Sequence, residues 1–120
     1  MSENISDVII IGGGVAGLST AMQLSKRGVS VRVLEREQIG NGSTRRAAGL
    51  LGQLRGTSEH TRMLMDGVKI VKELEEQADV EIYVQTGSVR VAETPERAQE
   101  LADLIRMGQS IGFDISHIPI

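Results

Sequence analysis

Two short apolar runs near the start of the chain flank a segment with helical periodicity. The β-branched run at residues 7–11 predicts a strand buried on both faces, and residues 29–34 predict a second strand. Between them, small or apolar residues recur at helical spacing, which predicts a helix that packs close to a sheet. These residues are Gly17, Ala21, Leu24 and Gly28. Strand, helix and strand in this order predict a parallel β-α-β unit with a right-handed crossover.

The middle of the chain predicts two helices of unequal length. Ser43 and Thr44 are favourable N-cap types, and they predict a short helix that continues through Ala47 and Ala48. A longer helix is predicted over residues 59–77. Its apolar side chains recur along one face, at Leu64, Val68, Val71 and Leu74.

The last third of the chain predicts a pair of strands and one more helix. Residues 82–85 and 88–92 alternate weakly between apolar and polar on either side of a turn, so they predict two strand segments. Thr94 and Pro95 then combine an N-cap residue with a first-turn proline, which predicts a helix start. The buried stripe of this helix is predicted at Leu101, Leu104, Ile105 and Gly108. Gly112 is predicted to end the helix.

Composition and charge exclude several classes of function. The 120 residues carry a formal net charge of −3, which gives no reason to expect nucleic acid or an acidic membrane as a partner. One tyrosine and one phenylalanine are the only aromatic residues, so no surface for stacking bases is expected. Glycine, serine and threonine interrupt the apolar stretch at residues 8–24, which predicts a strand and a helix rather than a membrane span.

Cysteine and histidine usage argues against a metal site. The chain has no cysteine, which excludes disulfides, thiolate ligands and a thiol nucleophile. Because this fits a reducing compartment and acidic residues precede the first apolar run, we expect a cytoplasmic location without a signal peptide. His60 and His117 each stand apart from other possible ligands, so both are interpreted as polar surface or partly buried residues.

A first glycine loop, residues 12–17, follows the first predicted strand and opens the first predicted helix. Gly12 permits a tight turn, Gly14 lets a pyrophosphate approach the backbone, and Gly17 lets the helix pack on the strand. The N–H groups and the dipole of the helix N-terminus favour an anion there. Glu35, about twenty residues further on, is placed to accept from ribose hydroxyls, which argues against a 2′-phosphate and hence against NADP. This unit alone does not distinguish NAD from FAD, because both contain ADP.

A second glycine loop, in the segment at residues 40–57, adds another place for phosphate oxygens. Ser43 and Thr44 can supply hydroxyls, and Arg45 and Arg46 add positive charge beside them. The alternative is that the two arginines form a solvated basic pair. A nicotinamide enzyme has no standard need for this segment, so it favours FAD over NAD.

With both loops in place, the sequence resembles the D-amino-acid-oxidase-like flavoprotein superfamily, and within it the dimethylglycine and sarcosine dehydrogenase group. That group has a segment of the form G-S-T-x-x-A-A-G-L, which here runs from Gly42 to Leu50. Residues 86–97 resemble the strand and helix start that follow its first long helix, and the resemblance extends over residues 7–112. It implies oxidation of a small amine or amino acid by hydride transfer to FAD. Members with covalent flavin have a histidine where this chain has Arg46, so non-covalent FAD is implied.

The residues expected to contact the cofactor lie in the two loops and at the end of the second strand. They are Gly12, Gly14, Val15, Ala16, Gly17, Glu35, Arg36, Gly42, Ser43, Thr44, Arg45, Arg46, Ala47, Ala48, Gly49 and Leu50. No residue is identified as catalytic or as a metal ligand.

The fold class predicted is α/β, a partial Rossmann-like unit followed by helices and a short strand pair. Residues 1–56 form the predicted ADP-binding part and residues 57–120 an incomplete part leading into a substrate domain. Two parallel strands are too few for a complete dinucleotide fold, and the chains of the superfamily are several times longer. A partner chain or self-association is therefore expected to complete the fold. A catalytically silent interaction module and, less favoured, a piece of an NAD-dependent enzyme remain the alternatives.

Overall fold

The computed structural model describes residues 5–118 and divides the chain into two compact units, Met1–Leu50 and Leu51–Ile120. The first unit contains β1 (Val8–Ile11), α1 (Val15–Ser25), β2 (Val31–Leu34) and α2 (Ser43–Arg46). The second unit contains α3 (Ser58–Ala78) and α4 (Pro95–Ser110). The predicted functional division after residue 56 stays a prediction.

The two strands of the first unit pair in parallel, with α1 between them in the chain. Val8 lies opposite Val31 and Ile11 opposite Leu34, which confirms the predicted β-α-β unit and its fold class. Both strands begin slightly later than predicted. Asp7, at the predicted start of β1, instead uses its carboxylate to accept from the Ser30 N–H at 2.9 Å, which ties the two strand entries together.

Only one face of this small sheet is covered within the described residues. Burial alternates along both strands, with Val8 and Val31 half-buried on the face against which α1 packs. On the opposite face Ile9 is 58% and Ile11 is 88% exposed. The expectation that both strands are buried on both faces is therefore wrong for the described residues, because α1 can cover only one side of a two-stranded sheet.

The first helix follows the predicted pattern. Gly17, Ala21 and Leu24 are half-buried on its sheet-facing side. Gly28 lies beyond the helix end with a φ of 78°, in the left-handed region that favours glycine. There the Val29 N–H donates to the Leu24 carbonyl at 3.1 Å, so the glycine closes the helix as predicted.

The short helix α2 differs from its prediction at both ends. Gly42 is the N-cap residue and makes no side-chain capping bond, so the predicted capping by Ser43 and Thr44 is wrong. Both residues lie inside the helix, and the Thr44 hydroxyl is hydrogen-bonded to a residue outside α2. The helix ends at Arg46 because Ala47 already has extended backbone, with a ψ of 150°.

The long helix α3 contributes an apolar stripe to the core of the second unit. Thr57 caps it, its side chain accepting from the His60 N–H at 3.4 Å. Val68 is buried and Leu64, Val71 and Leu74 are half-buried, which confirms the predicted stripe.

A buried hydroxyl fixes the segment that enters α3. Thr61 is 0% exposed, and its hydroxyl accepts from the Arg55 N–H at 3.0 Å while lying 2.9 Å from the Thr57 carbonyl to which it donates. The Arg90 guanidinium donates to the Leu54 carbonyl at 3.1 Å. These bonds hold residues 54–57 against the first turn of α3.

The predicted strands at residues 82–85 and 88–92 do not form in the structure. The N–H groups of Ile82 and Tyr83 donate to the Glu75 carboxylate, at 2.8 and 3.3 Å, instead of to a neighbouring strand. The branched apolar side chains of this segment, at Ile82, Val84, Val89 and Val91, are exposed, and Val89 is 78% exposed. The alternation predicted strands, but strand formation also needs a ladder partner.

The last helix confirms its prediction at both ends. The Thr94 side chain accepts from the Arg97 N–H at 3.2 Å, and Pro95 occupies the first turn. The helix closes at Gly112, whose φ is 75°, with the Phe113 N–H donating to the Gly108 carbonyl at 2.9 Å. In the predicted stripe, Gly108 is buried, and the other members are half-buried; these are Leu101, Leu104 and Ile105.

We predict that Gly17→Ala destabilises the first unit, because a Cβ at this position would lie 2.0 Å from the Gly12 carbonyl oxygen. The free energy of unfolding should fall by about 1–3 kcal/mol or more, since 1–3 kcal/mol is the usual range for overpacking. Gly67→Ala in α3 is the control, since no atom lies within 4 Å of its added Cβ. That control should stabilise its helix by roughly 0.5–1 kcal/mol. Urea unfolding measures both, and equal stability of the Gly17→Ala protein and the unmodified chain would contradict the prediction.

Candidate functional site

The turn between β1 and α1 brings backbone rather than side chains to the carboxyl end of the sheet. Gly12 has a φ of 108°, a conformation that favours glycine, and its N–H donates to the Leu34 carbonyl at 2.8 Å. Gly14 is the N-cap of α1 and makes no side-chain capping bond. None of the turn residues therefore places its own side chain over the N-terminus of α1.

The helix N-terminus lies close to this turn because α1 presses against Gly12. The absence of a side chain at Gly17 permits the approach, as a Cβ there would overlap the Gly12 carbonyl oxygen. The bond from the Leu18 N–H to the Gly14 carbonyl, at 2.9 Å, opens the helical hydrogen-bond series. The N–H groups of Ala16 and Gly17 precede that bond and point out of the helix end, where they favour an anion.

Glu35 follows β2 directly and reaches the glycine turn. One carboxylate oxygen accepts from the Gly13 N–H at 2.7 Å and the other from the Glu37 N–H at 3.0 Å. The bond from Gly13, then that from Glu37, lowers the pKa of Glu35 below its ordinary value. A carboxylate has about four acceptor positions, so two backbone bonds leave room for hydroxyl donors such as those of ribose.

The second loop is hydrogen-bonded directly to the first. The Gly40 N–H donates to the Gly13 carbonyl at 2.9 Å, and the Thr44 hydroxyl accepts from the Val15 N–H at 3.0 Å. The two glycine-containing segments predicted to face phosphate are thus one connected site within the first unit.

The remaining predicted site residues contribute to different degrees. The Arg45 guanidinium donates to the Asn41 side chain at 3.1 Å, which braces the second loop internally. Arg36 pairs with Glu37 at 3.6 Å on the surface. Gly49 has a φ of 71°, which places a left-handed turn within the second loop. The other second-loop residues predicted as contacts are exposed, and among them the Ala47 N–H donates to the Thr44 carbonyl at 3.3 Å. These residues are Gly42, Ser43, Arg46, Ala47, Ala48 and Leu50.

Sequence reasoning missed two residues that connect the site. Gly13 is buried, and a Cβ on it would lie 3.2 Å from the Glu35 Cβ and 3.3 Å from Ile39. Its N–H and its carbonyl bond Glu35 and Gly40 respectively. The run of three consecutive glycines was the available signal for Gly13. Gly40 carried a weaker signal, as one of several loop glycines.

The arrangement fits a dinucleotide on structural grounds. Gly12 and Gly14 present backbone without side chains, a helix N-terminus adjoins them, and the Glu35 carboxylate stands at the end of β2. Pyrophosphate suits the first two features and ribose the third. Elsewhere, His60 and His117 are exposed, and residues 5–118 contain no cluster of three or more acidic or histidine side chains able to hold a metal. No helix in the described chain is long and apolar enough to cross a membrane.

A comparison with protein families matches residues 7–118 to the model described as DAO, FAD dependent oxidoreductase. The match covers both units and confirms the resemblance predicted from the two loops.

Two curated relatives and one solved structure are similar to most of this chain. The 4-methylaminobutanoate oxidase (formaldehyde-forming) of Paenarthrobacter nicotinovorans is 35% identical over 78% of the chain. The glycine oxidase of Geobacillus kaustophilus (strain HTA426) is 33% identical over 79% of it. The crystal structure of L-proline dehydrogenase from P. horikoshii matches 89% of the chain with a TM-score of 0.81 and 29% identity. The matched segment spans only 12%, 27% and 28% of those three proteins.

We predict that Glu35→Gln lowers stability at neutral pH and that the difference from the unmodified chain shrinks in acid. The folded-state pKa of Glu35 is lowered, so its contribution is present above the ordinary pKa of a glutamate and is lost as pH falls through the lowered value. Urea midpoints measured across that range test this. Glu37→Gln, which removes an exposed carboxylate paired with Arg36, is the control. A Glu35→Gln difference that stayed constant with pH would contradict the assignment.

Proposed function

The chain belongs to the family of FAD-dependent oxidoreductases, and we propose that it is the FAD-binding N-terminal portion of an enzyme that oxidises C–N bonds. The cofactor of this family is FAD. The observation that carries the proposal is the hydrogen-bonded joining of the two loops, from the Gly40 N–H to the Gly13 carbonyl and from the Val15 N–H to the Thr44 hydroxyl. It makes one continuous surface of the segment that favours a pyrophosphate and the segment that favours FAD over NAD.

The proposed substrates are small amines or N-methylated amino acids, of the sarcosine and dimethylglycine type. The names of the three similar proteins described above support this class. They concern 4-methylaminobutanoate, glycine and L-proline, each of which joins an amine to a carboxylate in one small molecule. The residues that would orient the amine and carboxylate are not assigned in this chain.

Individual residues have distinct proposed roles toward the cofactor. Gly12 and Gly14 leave room for the pyrophosphate, and the N–H groups at the start of α1 bind its oxygens. Glu35, fixed by its bond from Gly13, accepts from the ribose hydroxyls. The second loop, braced by Arg45 on Asn41, covers the phosphate side and adds positive charge. When bound, FAD supplies the hydride-accepting chemistry itself.

A catalytically silent module that needs a partner chain is the second candidate. The observation that favours it is the uncovered sheet face with Ile9 and Ile11, together with a core in which only Leu54 and Val68 are buried apolar residues of the described chain. Apolar surface of this kind gains roughly 25 cal/mol per Å² when covered. Either self-association or a longer polypeptide would supply the cover. The cytoplasmic location and the absence of nucleic-acid and membrane partners also stay predictions.

We predict that the protein carries non-covalent FAD. Arg46 stands where covalent members have histidine, and a guanidinium does not form that linkage. The visible spectrum before and after acid precipitation tests this, and the flavin colour should pass to the supernatant. Gly14→Val should abolish flavin uptake, because its branched side chain enters the space beside the Thr44 hydroxyl. A colourless protein would favour the silent module, and flavin retained in the precipitate would overturn the non-covalent assignment.

We also predict that the 120-residue chain associates, either with copies of itself or with a larger polypeptide. The exposed sheet face and the two strand edges motivate this. Sedimentation at micromolar concentration measures the state, and activity on sarcosine or dimethylglycine with added FAD measures competence. A monomer with a cooperative thermal transition would refute association, and turnover by that monomer would refute the need for further chain.

A further inference from the structure

Gly14 and Thr44 meet at the N-terminus of α1, although they belong to different loops. The Thr44 hydroxyl accepts from the N–H of Val15, the first residue of the helix, at 3.0 Å. A Cβ built on Gly14 would lie 3.1 Å from that same hydroxyl oxygen, and this oxygen is its one neighbour within 4 Å. The hydroxyl therefore occupies the space that a side chain at residue 14 would enter.

This placement changes why glycine is needed at residue 14. The general reason for the second fingerprint glycine is that a pyrophosphate must approach the backbone. Here the first atom that a Cβ would meet belongs to the chain itself. An alanine at residue 14 would press the Thr44 hydroxyl away by a few tenths of an ångström and lengthen its bond from Val15.

We propose, on the basis of the function proposed above, that Thr44 is a positioning residue coupled to Gly14, and that the pair sets the spacing between the two loops at the phosphate side. The glycine keeps the space open and the threonine fills it with a hydrogen-bond acceptor. Both partners of the coupling belong to this chain, so the coupling acts on the spacing of the loops independently of a dinucleotide.

The chemistry of a hydroxyl suits this role. A threonine that accepts from a backbone N–H can still donate its own proton. The Thr44 hydroxyl thus takes up the first N–H of α1 and presents a donor in its place, next to the N–H groups of Ala16 and Gly17. The bond from the Gly40 N–H to the Gly13 carbonyl anchors the start of the second loop. Thr44 therefore positions the part of that loop that lies beside the N-terminus of α1.

Amide hydrogen exchange of Val15 in the ligand-free 120-residue chain tests the coupling directly. The variants are Thr44→Ala, Gly14→Ala, the double variant and Thr44→Ser. Thr20→Ala is the matched control, because Thr20 lies on the same helix and its hydroxyl bonds only within it, to the Ala16 carbonyl at 2.8 Å. Protection of the Gly12 amide, which bonds Leu34 at 2.8 Å, reports whether the β-α-β unit is still folded.

The expected result is a loss of Val15 protection in both single alanine variants, on the order of fivefold for Thr44→Ala, the factor of one net hydrogen bond. Thr44→Ser should retain protection, and Thr20→Ala should not change it. Gly14→Ala should have much less effect when Thr44 is already alanine, because the displaced hydroxyl is gone. Unchanged protection in Thr44→Ala, or an equal effect of Gly14→Ala in both backgrounds, would overturn the coupling.

Titration of the same variants with FAD, followed by flavin fluorescence, gives a second measurement. Thr44→Ala should weaken binding on the order of tenfold, and Thr44→Ser should restore most of it. The penalty of Gly14→Ala should again be smaller in the Thr44→Ala background, and equal penalties would overturn the proposal. If the unmodified 120-residue chain binds no FAD, the proposed function fails for the isolated chain. The Val15 exchange rates still decide whether Gly14 and Thr44 are coupled.

Discussion

The contact between the backbone of Gly12 and the backbone at Gly17 is the constraint on which the first unit depends. The helix can approach the turn this closely only because residue 17 has no Cβ. That approach sets the N-terminus of α1 beside the carboxyl ends of both strands. It also leaves Gly12 in a left-handed conformation, in which its N–H still pairs with the Leu34 carbonyl. A Cβ at residue 17 would push the helix end away from the turn, whereas a side chain at residue 12 would meet no atom but would strain the positive φ there.

Gly13 transmits that geometry to the rest of the site. It lies buried between Glu35 and Ile39, and its two backbone groups bond the acid after β2 and the start of the second loop. The backbone N–H groups of Gly13 and Glu37 favour the charged form of this acid and lower its pKa. An acid that is already oriented needs less reorganisation when a ligand arrives, which is the advantage of a preformed site. The phosphate side and the ribose side are in this way connected through one residue.

Much of the apolar surface of the chain is exposed, whereas its polar groups form connected hydrogen bonds. The described residues bury few apolar side chains completely, while one sheet face and much of residues 80–92 remain open. Among the described residues, Thr61 is the most deeply buried side chain, and it is polar. The second unit therefore relies on a satisfied hydrogen-bond cluster as well as on α3 packing with α4. The similar proteins are several times longer than the segment that matches this chain. Additional chain of that kind would cover such surfaces.

The sequence by itself determined the elements whose signals are local. Glycine spacing and a β-branched run specified the β-α-β unit, and capping residues specified both ends of α4. The segment from Gly42 to Leu50 was enough to indicate the family. Tertiary structure decided what depends on partners distant in the chain. Thr44 is a good N-cap type, yet its hydroxyl serves α1 rather than its own helix, because the Val15 N–H lies within reach only after the loops fold together. Residues 82–92 alternate like strands, yet the Glu75 carboxylate takes their first N–H groups and no neighbouring strand pairs with them in the described chain. Periodicity reports which side chains prefer burial, but hydrogen-bond partners and layer contacts are properties of the assembled chain.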